Sequence, residues 1–336
     1  MSRRVSIKDI AKIAGVSQST VSRVINKPHE VSEELREKVM RVIKMFDYTP
    51  NSVARGLRKG STKVIGVIIP DITNPFFPAI VRGIEDFLKN KDYSLILCNS
   101  DQDIEEEKKL LKLLYSKNVD GVIFTGSGEY NPEIEIFTDK DIPLVFLDRI
   151  YNKKSSSYVI VDNVKGMFEL MTYLVKCGYR SFALLNGNKE TFSAKARYEG
   201  FLKAVEEYVI RDYEVIFGQF TYESGYQMVE KLSKMPEVLV CGNDLIAYGA
   251  MDRIEKMGLN IPNDVGVTGF DDIPFSRHYK PSLTTVKQPT YELGKEAAEL
   301  IFKMVESKSY KPCGIVLNPE VVIRESTKTT KDSVNW

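Results

Sequence analysis

The sequence predicts an α/β protein: a helix-turn-helix headpiece followed by a two-part body of doubly wound parallel sheets. Three observations carry this. Up to Lys59 the chain holds thirteen Lys/Arg against six Asp/Glu, and the remainder holds 34 against 40, so a head of +7 precedes a body of −6. That asymmetry points to a polyanionic partner for the head alone. Three short amphipathic patterns fill the head. From about residue 63, β-branched apolar runs alternate with amphipathic helical patterns, as parallel sheets covered on both faces require.

In the head, Ser6 and Asp9 precede an apolar pattern at Ile7, Ile10, Ala11 and Ala14, which reads as a capped helix ended by Gly15. Ser17 opens a second helix, SQSTVSRVIN, in which Val21, Val24 and Ile25 share one side. Gln18, Ser19, Ser22, Arg23 and Asn26 fan over the other. Ser32 starts a third, SEELREKVMRVIKMF, with Leu35, Val39, Val42, Ile43 and Phe46 as its inward stripe. Three amphipathic helices alone would suit a small protein-binding bundle. The net charge, the tight turn at Gly15 and the polar second helix favour DNA. In that geometry Arg23 addresses guanine O6 and N7, Gln18 an adenine edge or a phosphate, and Ser19 and Thr20 methyl, backbone or water-mediated contacts. The other head cations supply the salt-sensitive, sequence-independent part of the affinity.

The stretch Pro50–Gly60, PNSVARGLRKG, separates head from body and on composition reads as an ordinary linker. The body then runs VIGVIIP (64–70), a helix at about 77–89, SLILCNS (94–100), a Glu/Lys/Leu-rich helix at about 104–114, GVIFTG (121–126), IPLVFLD (142–148) and YVIVD (158–162). The order starts again with helices near 164–176, 194–208, 222–234 and 245–257, interleaved with RSFALLNG, EVIFGQF, EVLVCGN and VGVTGFD. In such sheets ligands bind outside the strand C-termini.

Those strand ends carry polar and aromatic residues: Asn74, Phe76 and Phe77 after the first strand, Asp148 and Arg149 after IPLVFL, Arg197 after FALLNG, Phe220, Asn243 after VLVCG, Asp271 after VTGF, and Gln288 on a return crossing. Hydrogen-bonding groups combined with flat apolar faces are what a sugar needs. An enzyme is not expected. The first βα turn, DITNPFF, has no glycine, and Gly126-Ser127-Gly128 lacks the third glycine of a dinucleotide fingerprint. With two histidines and four scattered cysteines (Cys98, Cys177, Cys241, Cys313), neither metal site, disulfide nor cofactor is expected. No run reaches the roughly 20 apolar residues of a membrane span and no secretory leader is evident, so the expected location is the cytoplasm.

The run VSIKDIAKIAGVSQSTVSRVINKPHEVSEELREKVMRVIKMFDYTPNSVARGLRKG closely resembles the DNA-binding head of the LacI/GalR family of bacterial transcription regulators. NPFF, SAKARYEGF, GNDLIAYGAM, GFDDIPFSRHYKPSLTTVKQP and VIRESTK resemble that family's effector core, itself similar to periplasmic sugar-binding proteins. The resemblance implies a homodimeric repressor on a palindromic operator, with Gln18, Ser19 and Arg23 at base-reading positions. It turns Asn51–Arg58 from linker into a hinge helix that forms on DNA, with Leu57 wedged into a minor-groove base step. The candidate DNA-contacting set is Ser6, Ser17, Gln18, Ser19, Thr20, Ser22, Arg23, Asn26, Asn51, Ala54, Leu57 and Arg58.

The ten strand-end and crossing residues fall on positions that ribose-binding members use, implying a ribose-like free pentose as effector. An alternative from the same resemblance is a catabolite control protein, whose DNA binding a phosphorylated phosphocarrier protein raises. The implied organisation is a helix-turn-helix domain (1–50), a hinge (51–62) and a periplasmic-binding-protein-like core (63–336). The core divides into an N-subdomain (about 63–161 and 290–322) and a C-subdomain (about 162–289 and 323–330). The tail after Arg324 holds no leucine heptad for a tetramerising coiled coil.

Overall fold

Ser6 and Asp9 close a reciprocal capping box: the Asp9 N–H donates to Ser6 Oγ (3.3 Å) and the Ser6 N–H to Asp9 Oδ2 (2.9 Å). This starts helix α1 (Ile7–Ala14) in a computed structural model that describes residues 5–48, 61–128, 131–150, 156–307 and 311–329. The chain forms two compact units divided between Thr62 and Lys63. In the first, Gly15 ends α1 at φ 64°, a left-handed conformation that glycine adopts without a Cβ penalty. Ser17 Oγ then accepts the Thr20 N–H (3.1 Å) and caps α2 (Gln18–Asn26). Helix α3 spans Glu33–Met45. Ile10, Ala11, Ala14, Val21, Val24, Val39 and Val42 form the buried core of this unit.

Ser32 starts α3 as expected, and one expectation for the inward stripe needs correction. Ser32 occupies the N-cap position without a side-chain cap bond, so Glu33 and Glu34 in the first turn are what complement the helix dipole. Phe46 lies one residue past the helix and is 39% exposed, so it leaves the inward stripe. The hinge positions Asn51, Ala54, Leu57 and Arg58 lie outside the described residues.

The second unit contains two parallel sheets. The first is ordered β11-β5-β4-β3-β1-β2: β1 Val64–Ile69, β2 Ser94–Asn99, β3 Gly121–Phe124, β4 Leu144–Leu147, β5 Ser157–Val161 and β11 Gly314–Leu317. The second is ordered β7-β6-β8-β9: β6 Ser181–Asn186, β7 Asp212–Phe217, β8 Val238–Cys241 and β9 Gly266–Thr268. Central strands such as β3, β4 and β8 are buried throughout, whereas the edges β2, β7 and β11 are only partly covered. That difference explains why the central runs read as continuous apolar segments.

Helices connect the strands: α4 (Phe76–Lys89), α5 (Ile104–Ser116) and the short α6 (Glu135–Asp139) in the first half, then α7 (Asn163–Lys176), α8 (Phe192–Glu207), α9 (Tyr222–Glu230) and α10 (Asp244–Lys256) in the second. Helix α11 (Thr290–Glu306) returns to the first half and packs on α4, where Gly83 and Gly294 let the two backbones approach. Three crossings link the halves: after β5, after β10 (Thr285–Lys287), and between β11 and β12 (Glu320–Val322). Strand β12 pairs antiparallel with β10 and does not join the first sheet. In each sheet the first strand, β1 or β6, has its sequence successor on one side and the following strand on the other, and the loops diverge there to leave a crevice.

Candidate effector cleft and DNA-facing helix

The strand ends of the body meet at a cleft of about 420 Å³, counted to its open mouth. Nine of the ten residues singled out in the sequence line it: Asn74, Phe76, Phe77, Asp148, Arg149, Arg197, Phe220, Asn243 and Asp271. The tenth, Gln288, is buried but stands behind the wall, where its Nε2 donates to Asp271 Oδ1 (2.7 Å). Pro70, Asp71, Gln102 and Ser193 complete the lining. They follow β1, β2 and β6, so the strand-end rule that selected the others reaches them too.

Each side chain is placed by the element that carries it. Asn74 Oδ1 accepts the Phe76 N–H (3.1 Å) at the start of α4, whose first residues Phe76 and Phe77 meet edge-on at 5.1 Å between ring centres. Asn243 caps α10 by accepting the Ile246 N–H (2.9 Å). Gly187 has no Cβ to collide with the Phe220 ring, which a Cβ there would approach to 2.3 Å. Asp148 (φ 63°) and Asp271 (φ 123°) hold positive φ at the ends of their strands. Such backbone costs on the order of 1–3 kcal/mol per residue and clusters at functional sites.

Four charges are sunk in the cleft wall: Asp148, Arg149, Arg197 and Asp271, each 3–5% exposed. Arg197 is the most extensively held. Its Nε donates to Asn163 Oδ1 (2.8 Å) and its Nη1 to Gly242 O (2.5 Å), while its Nη2 lies 3.5 Å from Asp271 Oδ1. Its guanidinium also lies 4.0 Å from the Phe270 ring centre and 5.4 Å from that of Phe220. Arg149 Nη1 donates to Gly126 O (2.6 Å), and its Nε is 3.7 Å from Asp148 Oδ2.

Burial dominates the electrostatics. It pushes the Asp271 carboxyl up to about 8 against the pull of Arg197, and raises Asp148 against Arg149 and Arg197. The same burial lowers Arg197. Next to the wall, buried Asp244 accepts bonds from Ser276 Oγ (2.6 Å), Thr285 Oγ1 (2.5 Å) and the Ile273 N–H (2.9 Å), and burial raises it to about 6. Two carboxyls and two guanidiniums, in one lining with three phenyl rings, present donors, acceptors and flat apolar faces to a ligand. No group of three or more His, Cys, Asp or Glu among the described residues could hold a metal. The four cysteines are unbridged. No described helix is long and apolar enough to cross a membrane.

In the head, α2 carries Val21 and Val24 into the core and leaves Gln18, Ser19, Arg23 and Asn26 exposed, with Ser22 and Thr20 half-buried. Ser17 Oγ shares hydrogen bonds with Ser19 Oγ (2.7 Å) and Thr20 Oγ1 (2.8 Å), and Asn26 Nδ2 donates to Ser22 O (2.7 Å). Gln18 thus extends from a helix start whose smaller side chains are engaged with one another, and Arg23 stands exposed in the last turn. Ser6 is occupied by its capping box.

A helix-turn-helix head on a two-sheet body with a polar, aromatic cleft defines a class: DNA-binding transcription regulators built on a periplasmic-binding-protein-like core. The chain belongs to the LacI family. The pattern of the lacI family of bacterial regulatory proteins matches residues 6–51, and that of periplasmic binding proteins and the sugar binding domain of the LacI family matches residues 62–324.

Among similar chains, the HTH-type transcriptional regulator RegA of Clostridium saccharobutylicum is 38% identical, covering 96% of this chain and 99% of the relative. The ribose operon repressor of Halalkalibacterium halodurans is 38% identical over 98% of this chain and 99% of the relative. The lac repressor dimer bound to operator and the anti-inducer ONPF matches with a TM-score of 0.85 and 27% identity, over 97% of this chain and all of that one. A LacI family regulator from Enterococcus faecium with bound ribose matches with a TM-score of 0.72 and 32% identity, over 80% of this chain and all of that one. The family consists of transcription regulators, and the chain is not an enzyme.

Proposed function

We propose that this protein is a dimeric repressor that leaves a palindromic operator when a ribose-like free pentose fills the cleft. The observation carrying this reading is the buried Asp148/Arg149/Arg197/Asp271 set that lines one cleft with Phe76, Phe77 and Phe220. It matches sugar hydroxyls and ring faces. The likeness to a ribose operon repressor and to a ribose-bound regulator supports it. Residues 63–161 with 290–317, and 162–289 with 320–329, act as two subdomains that close on the sugar. Gln18, Ser19 and Arg23 read bases, and Asn51 to Arg58 form a hinge on DNA that melts when the subdomains shift. Such a regulator works in the cytoplasm.

A second reading keeps the DNA-binding head and makes the regulator depend on a phosphorylated phosphocarrier protein. Calorimetric titration with ribose and related free sugars separates the two. Heats saturating near one sugar per chain support the first reading, and silence toward all of them overturns it.

A further inference from the structure

Helix α5 carries three consecutive glutamates with opposite fates. Glu105 and Glu106 lie on the surface and pair with Lys108 and Lys109, each one turn on. Glu107 is fully buried, in line with Leu111 and Leu114. A carboxylate is not left in that position unless something compensates it. What it meets is the loop after β3: Glu107 Oε1 accepts the Ser127 backbone N–H. On the other end of the same peptide unit, the Gly126 carbonyl accepts from Arg149 Nη1 at 2.6 Å.

One peptide bond therefore stands between a buried acid and a cleft arginine, with the anion at its N–H end and the cation at its C=O end. Both charges lie along the peptide dipole in the favourable sense, and charge-assisted bonds of this kind are roughly twice as strong as neutral ones. Burial pushes the Glu107 carboxyl up, and Ser127, Asn131 and, least of these, Arg149 through space pull it down. Gly128, the next residue but one, has φ 118° and lies against Thr191, where an added Cβ would come within 3.1 Å of the Thr191 Cα. Thr191 caps α8, the helix of Ser193 and Arg197.

The geometry points to Glu107, a residue outside the cleft lining, as a positioning residue for effector binding: through the Gly126–Ser127 peptide it fixes where Arg149 presents its guanidinium. Glu107 touches no ligand and sets the strength of one that does. This rests on the cleft being the effector site proposed above.

The test is a coupling measurement by calorimetry with ribose on the full-length protein. Glu107→Gln keeps an oxygen for the Ser127 N–H and removes the charge. It should weaken ribose binding about tenfold in the otherwise unchanged protein, add less than twofold in an Arg149→Lys background, and keep its full effect in an Arg197→Lys background. A purely structural role would lower affinity by the same factor in all three. Glu107→Asp, which keeps the charge and shortens the reach, provides a second variant should the glutamine form fail to fold by circular dichroism. The same dependence on Arg149 is expected of it. Equal losses in every background, or unchanged affinity, overturn the role of Glu107 while the effector cleft stands. Failure of the unmodified protein to bind any free sugar overturns the cleft assignment and this role together.

Discussion

Gln288 Nε2 donates to Asp271 Oδ1 at 2.7 Å, and Arg197 Nη2 lies 3.5 Å from the same oxygen. One carboxylate oxygen thus receives a neutral donor from the crossing strand and a cation from α8. On the proposed reading Gln288, itself behind the wall, acts on the effector by aiming Asp271. Gln288→Leu should weaken ribose binding about tenfold, since a hydrogen bond to a charged group contributes about 1.5–3 kcal/mol. Operator affinity without sugar should be unchanged. Calorimetry and fluorescence anisotropy on operator DNA check the two halves of this expectation.

Arg197 is fixed by Asn163, Gly242 and Asp271. Arg197→Met should give a protein that holds operator and no longer releases it with sugar. It leaves the buried Asn163 and Gly242 acceptors without their donor, at about 1–3 kcal/mol for each group left unsatisfied. A lowered thermal midpoint, with operator still bound at 20 °C, is the expected outcome.

The pH dependence follows from Asp271. Its carboxyl is raised to about 8 in the folded chain, above the ordinary aspartate value of about 4. The folded state therefore binds more protons than the unfolded one between those values. Its contribution to stability is fully present below pH 4 and is lost as pH rises toward 8 and beyond. Burial raises Asp148 as well, in the same sense. Ribose hydroxyls donating to these groups favour the ionised forms. Sugar binding at pH 7 should release protons, visible as a dependence of the calorimetric heat on buffer ionisation enthalpy, and affinity should rise from pH 6 to pH 8.

On the DNA side, Arg23→Ala should cost about 1–3 kcal/mol on a site selected from random duplexes and relax preference at one base pair. Leu57→Ser should weaken specific binding far more than nonspecific binding and leave sugar affinity intact. Equal losses on both DNAs would return residues 50–60 to the status of a linker. Anisotropy titrations at two salt concentrations distinguish these outcomes.

Much of this architecture is legible in local chemistry. Ser6, Asp9, Gly15 and Ser17 announce the head because caps and left-handed turns depend on residues a few positions apart. The nine cleft residues are legible because strand C-termini in doubly wound sheets face the crevice wherever the chain goes next. Depth is harder to read. Gln288 lies behind Asp271 because the crossing carrying it is paired with β12, a strand more than thirty residues further on. Glu107 is hidden for the opposite reason. In a Glu/Lys-rich helix a single inward acid resembles its solvated neighbours, and only the path of the loop after β3 reveals its partner.

On the proposed reading sugar and operator oppose each other through the body, and linkage makes that opposition quantitative. Whatever factor ribose takes from operator affinity, operator must take from ribose affinity. The direct measurement is operator binding by anisotropy at zero and saturating ribose, paired with ribose calorimetry at zero and saturating operator. The expected result is a loss of tenfold or more, equal in the two directions. Unchanged operator affinity at saturating ribose, with ribose bound, would contradict it.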